Sequence, residues 1–221
     1  THESSYAAAR QTVRSRCNGE APFFLQVMEA NAAPSEFWES LRFDVFDYGH
    51  SYLDTIFTPP DDEVTREHRE QLVALHGKER AEEILSVNRH NTTIYPSCSP
   101  HLGFQQLRVI RPLSVDRTMI EFFTFRLVGT SDQLFQRAIS YMNLVNCPSS
   151  VIAVDDVDLY RRCQEGMASN GGRWVSHHRA AGTDIPMEGG SYGGGISELP
   201  MRNQFRAWKA YMEQPSAAKV S

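Results

Sequence analysis

The chain has 221 residues, 41% of them hydrophobic and 22% charged, enough to bury one sizeable core and to predict a single domain. Its 22 Lys and Arg stand against 27 Asp and Glu, a net charge of -5, which leaves no basic field for a nucleic-acid backbone or an anionic membrane surface. No apolar run approaches the roughly 20 residues that cross a bilayer, and the first residues lack the basic start and apolar stretch of a signal peptide. Four scattered cysteines (Cys17, Cys98, Cys147, Cys163) fit reduced thiols rather than a disulfide framework, so a soluble, cytoplasmic protein is expected.

In chain order, Ala7 to Ala9 point to a helical piece in a polar first segment. From Phe23 to Phe57 aromatic and β-branched residues alternate with polar ones, which predicts strands and turns. Asp61 and Asp62 sit where a helix N-terminus favours negative charge, so a helix is expected to Leu75, stopped by Gly77, with a second from about Glu79 to Val87. The runs Phe104 to Arg111 and Thr118 to Val128, joined by a turn-forming segment, predict an antiparallel pair. Ser131 can cap a helix whose apolar positions repeat at three- and four-residue spacing until Cys147-Pro148.

A further helix is expected from about Asp155 to Met167, where Asp156, Tyr160, Cys163 and Met167 share one face. Gly182 to Gly195 reads as a long loop, and Phe205, Trp208, Tyr211 and Met212 mark a last amphipathic helix. This order gives an α+β fold with helices gathered on one face of an antiparallel sheet.

Several motifs invite chemical readings. Gly189-Gly190-Ser191-Tyr192-Gly193 matches the G-x-S-x-G turn of hydrolases, yet its surroundings are polar and Gly-rich and no histidine follows His178, so a glycine loop is the better reading. Cys98 and His101 have the spacing of half a zinc or iron-sulfur site, whose other half is absent. The neighbours His177 and His178 cannot face one metal together in extended chain. Asp156 is more informative. It is either an N-terminal cap or a carboxylate on the inner side of a helix, where desolvation demands a cation, a metal or a hydrogen-bond donor.

The run from Gly49-His50 through Gln164 resembles the catalytic domain of a Rieske-type aromatic-ring-hydroxylating oxygenase large (alpha) subunit. The resemblance lies in Asn91-Thr92-Thr93-Ile94-Tyr95-Pro96, in Val109 to Thr118 with its strand-turn-strand pattern, and in Asp155-Asp156 followed by Tyr160 and Gln164. Gly77 to Ala81 and the Arg111 to Thr118 run are similar in style to the benzoate and anthranilate branch. The resemblance implies a helix-grip fold, with residues 1–221 forming one mononuclear-iron domain and an N-terminal Rieske domain lying outside the chain.

It further implies a non-haem Fe(II) held by two histidines and one carboxylate, with coordination positions left open for dioxygen. Mapped by resemblance, Asp156 is the carboxylate ligand and His2 the second histidine, the first lying upstream of residue 1. The same resemblance turns the face of Arg89, Asn91 and Thr93 inward and puts His101 and Asn146 in the substrate pocket. Because buried Arg and Asn need polar partners, the expected substrate is an aromatic carboxylic acid, with Arg89 as its clamp. The implied reaction adds both atoms of O2 to the ring as a cis-dihydrodiol. It draws electrons from NAD(P)H through a reductase, sometimes a ferredoxin, and a 2Fe-2S Rieske cluster, in an α3 or α3β3 oligomer. Two other classes stay open: a monooxygenase or O-demethylase of the same superfamily, and a helix-grip ligand-binding module without iron.

Overall fold

The computed structural model describes residues 34–54, 59, 61–87, 89–150, 152–169 and 174–214. The helical piece expected near Ala7 and residues 23–33 and 55–57 of the expected strand region lie outside them.

Short helix α1 (Ser35–Ser40) leads into β1 (Arg42–Phe46), which turns through Asp47–Gly49 into β2 (Ser51–Asp54). The turn depends on Gly49. It sits at φ +88°, and an added Cβ would lie 2.8 Å from the Tyr95 ring and 2.9 Å from Ala207 Cβ. Helices α2 (Glu63–His76) and α3 (Lys78–Ser86) follow. Asp62 caps α2 by accepting from the Thr65 N–H at 2.9 Å, and Gly77 ends it at φ +78°. The Asp62 carboxylate also meets Arg137 at 2.5 Å, tying α2 to α4 (Asp132–Tyr141), whose own cap Ser131 accepts from the Leu134 N–H at 3.3 Å.

Strand β3 (Arg89–Thr93) is followed by β4 (Cys98–His101), then β5 (Gln106–Ser114) and β6 (Arg117–Thr124). The hairpin predicted in the middle of the chain is present. It is longer than expected on its first strand, because Ser114 pairs with Arg117 and only Val115 and Asp116 form the loop. Helix α4 runs into a single π turn at Met142–Asn146 before Cys147 turns extended. Then come α5 (Ala153–Ala168), β7 (Ile185–Met187), β8 (Gly190–Gly194) and α6 (Leu199–Glu213).

Two antiparallel sheets result, one in the order β3-β2-β1-β8-β7 and one in the order β4-β5-β6. Val45, Leu53 and Leu199 are buried in the core, and α6 is fastened beside β1 by Asn203 Nδ2, which donates to the carbonyls of Phe46 at 2.8 Å and His50 at 3.2 Å. Arg202 on the same helix pairs with Asp184 at 2.9 Å and donates to the carbonyls of His177 and Arg179. The α+β class read from the sequence is therefore observed.

Three expectations need correction. The segment taken as a long loop contains β7 and β8, and β8 lies next to the centre of its sheet. Gly190 is there because backbones approach closely: a Cβ on it would stand 2.0 Å from the Val45 carbonyl oxygen. The G-x-S-x-G run is thus part of a strand, with no strand-to-helix elbow. On α6 the inward residues are Leu199, Pro200 and Ala207, whereas Phe205, Trp208 and Met212 are exposed. On α5 only Asp156 of the predicted stripe is partly buried, while Tyr160, Cys163 and Met167 are exposed.

Candidate functional site

The loop between β3 and β4 is closed by paired backbone bonds between Ile94 and Cys98, at 2.7 and 3.1 Å, and His50 Nδ1 accepts the Tyr95 N–H at 3.0 Å. This closure brings the start of β3 against the end of β4. His90 Nδ1 and His101 Nε2 consequently lie 2.7 Å apart, and Arg108 Nη2, one strand further on, stands 3.2 Å from His101 Nδ1. His101 is 2% exposed. Burial, reinforced by Arg108, drives His90 down to about 4, and burial, His90 and Arg108 together drive His101 down to about 2.

Under this pair lies an aromatic floor. Phe104 stacks on Tyr141 with ring centroids 3.7 Å apart, and both are buried with Val145 packed against them. His101 meets Phe104 edge-on at 5.0 Å and Tyr141 at 5.7 Å. Burial raises the Tyr141 phenol to about 12. On β5, two residues before Arg108 and hence on the same face, Gln106 is fully buried and its Oε1 accepts from Asn146 Nδ2 at 2.9 Å. Gln106 Nε2, Arg108 Nε and Thr92 Oγ1 are sealed from solvent without a hydrogen-bond partner. Such groups cost about 1–3 kcal/mol each when left unpaired.

The residues singled out from the sequence fall in different places. His101 and Asn146 both belong to this buried cluster. Arg89 and Asn91 are exposed, and the Arg89 guanidinium stacks 4.6 Å above the Tyr52 ring. On β3 the partly buried residues are His90, Thr92 and Thr93, so Thr93 keeps its expected side while a bulge sets Arg89 and Asn91 apart from it. Ser51 pairs with Thr93 and Leu53 with His90, so β3 holds one extra residue, and Asn91 sits in the left-handed region at φ +44°. His90, Arg108 and Gln106 were missed. Simple alternation assigns His90 to the wrong face, and Arg108 in a strand reads as a solvated cation.

Asp156 lies in the first turn of α5, where the helix dipole favours a carboxylate. Partial burial and then the Asp156 charge push the Tyr160 phenol upward while Arg108 pulls it back, so Asp156 and Arg108 both lie within electrostatic reach of that ring. His2 falls outside the described residues. Among the described residues no three His, Cys, Asp or Glu side chains gather as a metal site requires, and Asp156 is the member of the expected iron triad that they contain. As a half-buried carboxylate at a helix start it fits the oxygen donor of such a site; by itself it does not constitute one.

No protein-family model matches the sequence. The chain is similar to the alpha subunit of toluate 1,2-dioxygenase from Pseudomonas putida, 30% identical over 186 residues, covering 84% of this chain and 39% of the relative. It is also similar to the large subunit of 2-halobenzoate 1,2-dioxygenase from Burkholderia cepacia, 31% identical over 138 residues, covering 62% of this chain and 29% of the relative. The chain thus spans well under half the length of these curated relatives. Among solved structures, naphthalene 1,2-dioxygenase with indole in its active site superposes with a TM-score of 0.66 at 18% identity, over 96% of this chain and 48% of that one. A naphthalene 1,2-dioxygenase variant bound to phenanthrene gives 0.60 at 18% identity, over 86% and 46%. At that identity the likeness establishes the fold.

Proposed function

This chain is a homologue of the large (alpha) subunits of aromatic-ring-hydroxylating dioxygenases, and from that premise we propose that residues 1–221 form the mononuclear-iron catalytic domain of such a subunit. The observation that supports the reading most is the 30% identity to the toluate dioxygenase subunit, sustained over 186 residues. The proposed reaction inserts both atoms of O2 into the ring of an aromatic acid of the benzoate, anthranilate or salicylate kind, giving a cis-dihydrodiol. Two features favour an acid over a bare hydrocarbon. Both curated relatives are named for aromatic acids, and the buried cluster of His, Arg, Gln and Asn keeps two donors, Gln106 Nε2 and Arg108 Nε, without a partner, which an acid suits better than a hydrocarbon.

In this proposal Asp156 and His2 hold Fe(II) together with a histidine upstream of residue 1, and the iron supplies oxygen activation. The chain's own side chains bind the ring, fix its orientation and exclude water. His101 and Asn146 are the proposed inner residues of the substrate site, His101 acting through the partners that occupy its two ring nitrogens, and Arg89 and Asn91 are the proposed outer polar contacts. The electrons come from NAD(P)H through a separate reductase, with or without a ferredoxin, and a 2Fe-2S Rieske cluster in an N-terminal domain; the oligomer is α3 or α3β3. No helix among the described residues is long and apolar enough to cross a membrane.

Metal analysis of the full-length protein tests the assignment. Iron beyond that of the cluster should be bound by the parent and lost on Asp156→Ala with the circular-dichroism spectrum unchanged. Retention of that iron in the variant would remove Asp156 from the ligand set.

A further inference from the structure

The hydrogen bonds around His101 have a fixed direction. A guanidinium has donors only, so in the 3.2 Å contact His101 Nδ1 is the acceptor from Arg108 Nη2. A neutral imidazole that accepts at Nδ1 carries its proton on Nε2, and a second proton on Nδ1 would point N–H at N–H. His101 therefore donates through Nε2 to His90 Nδ1 at 2.7 Å. His90, accepting at Nδ1, must in turn carry its proton on Nε2. That nitrogen has no hydrogen-bond partner among the described residues and is not among the atoms sealed from solvent, so it offers a donor of fixed direction to whatever enters.

Charge supplies a second, independent observation. Arg108 is partly buried and forms no ion pair with any described residue, and its Nε is buried without a partner. Two neutral histidines do not offset it. The three side chains form one cationic unit beside the Phe104–Tyr141 floor, with a preset N–H at its far end. Arg108 also lies over the Phe122 ring at 5.7 Å, and a neutral ligand ring would still leave the His90 donor unmatched. An anionic oxygen carried on a ring accepts the N–H and offsets the charge.

We propose that His90 is a specificity-determining residue, its Nε2–H donating to a carboxylate oxygen of an aromatic acid while Arg108, acting through His101, supplies the positive charge. The inference rests on the aromatic-acid part of the proposed function. The anion's source is committed to the substrate itself; an internal water held at His90 is the competing outcome.

Equilibrium binding of benzoate, benzamide and toluene to the full-length protein, without reductant so that no turnover occurs, tests it. The parent should prefer benzoate, and His90→Leu should weaken benzoate binding about tenfold or more, the scale of one hydrogen bond to a charged group, with toluene unchanged. His90→Gln, which keeps an N–H donor, should recover part of the loss. Benzoate affinity unaltered in His90→Leu, as expected if only water sits there, or an equal loss for toluene, as expected if His90 merely packs, would overturn the proposal.

Imidazole nitrogen NMR of the parent gives an answer that requires no variant to fold. Both His90 and His101 should be Nε2–H tautomers, and an Nδ1–H tautomer at either overturns the relay. If oxygenation of any ring fails while benzoate binding still depends on His90, the enzymatic reading falls and this assignment stands. If the parent shows no preference for benzoate, the aromatic-acid premise falls and the assignment with it.

Discussion

Asn146 Nδ2 donates to Gln106 Oε1 at 2.9 Å across 40 residues of sequence, and this bond fastens the π turn after α4 to the first residue of β5. Gln106 is 0% exposed, so no water can replace the partner directly. Asn146→Leu should destabilise the protein by about 1–3 kcal/mol, the cost of a buried amide left unpaired, read as a lower urea midpoint. An unchanged midpoint would mean that the amide finds another acceptor or donor within the cluster.

The two buried histidines set a pH dependence whose sign follows from linkage. Their folded-state values, about 4 for His90 and about 2 for His101, lie below the ordinary 6.5, so below about pH 6.5 the unfolded chain binds more protons than the folded one. Their contribution to stability is full above pH 6.5 and declines as the pH falls, by up to about 1.4 kcal/mol per pH unit for each histidine, down to each folded value. Denaturant midpoints should fall between pH 6.5 and 4, and His90→Phe should flatten that slope by roughly half. A slope unaffected by the substitution would show that other groups govern it.

Gly190→Ala should damage the fold more than its size implies, because the added methyl would stand 2.0 Å from the Val45 carbonyl oxygen and 3.0 Å from Phe46 Cα. Both neighbours are backbone in β1, so the β1–β8 pairing has to give way. A loss of about 3 kcal/mol or more in thermal or urea unfolding is expected, in the upper part of the range for single substitutions. Gly182→Ala, at a left-handed loop position with open space around it, should cost only about 1 kcal/mol.

These positions also mark how far the fold could be read from the residues. Helix α2 was legible at both ends, since Asp62 and Gly77 are local signals whose chemistry acts within one turn. Strand β8 was not, because Gly190, which looks like loop punctuation, is required there by a neighbouring strand, a relation that no local pattern contains. The site divides in the same way. His101 and Asn146 were placed by resemblance and do lie in one cluster, whereas the bulge at Asn91 sets Arg89 apart from Thr93 and brings His90 inward in place of Arg89. The partners that fix His101, Arg108 above all, become visible only once β4 and β5 are paired.

Arg89 keeps a proposed outer role that can be weighed against His90. Its guanidinium is exposed and rests on Tyr52, where water screens its charge, so Arg89→Met should lower the preference for benzoate over toluene by less than about tenfold. A larger loss than that of His90→Leu, in the same binding assay, would return the carboxylate clamp to Arg89.

Mass spectrometry of the product formed under isotopically labelled dioxygen tests the proposal that this chain is the catalytic part of an oxygenase adding both oxygen atoms to an aromatic acid. Full-length protein supplied with NADH, its reductase and benzoate should yield a cis-dihydrodiol carrying two labelled oxygens, with none formed by Asp156→Ala. A product with one labelled oxygen, or no oxygenated product from a protein that binds benzoate and carries its full iron, would overturn the proposed dioxygenation.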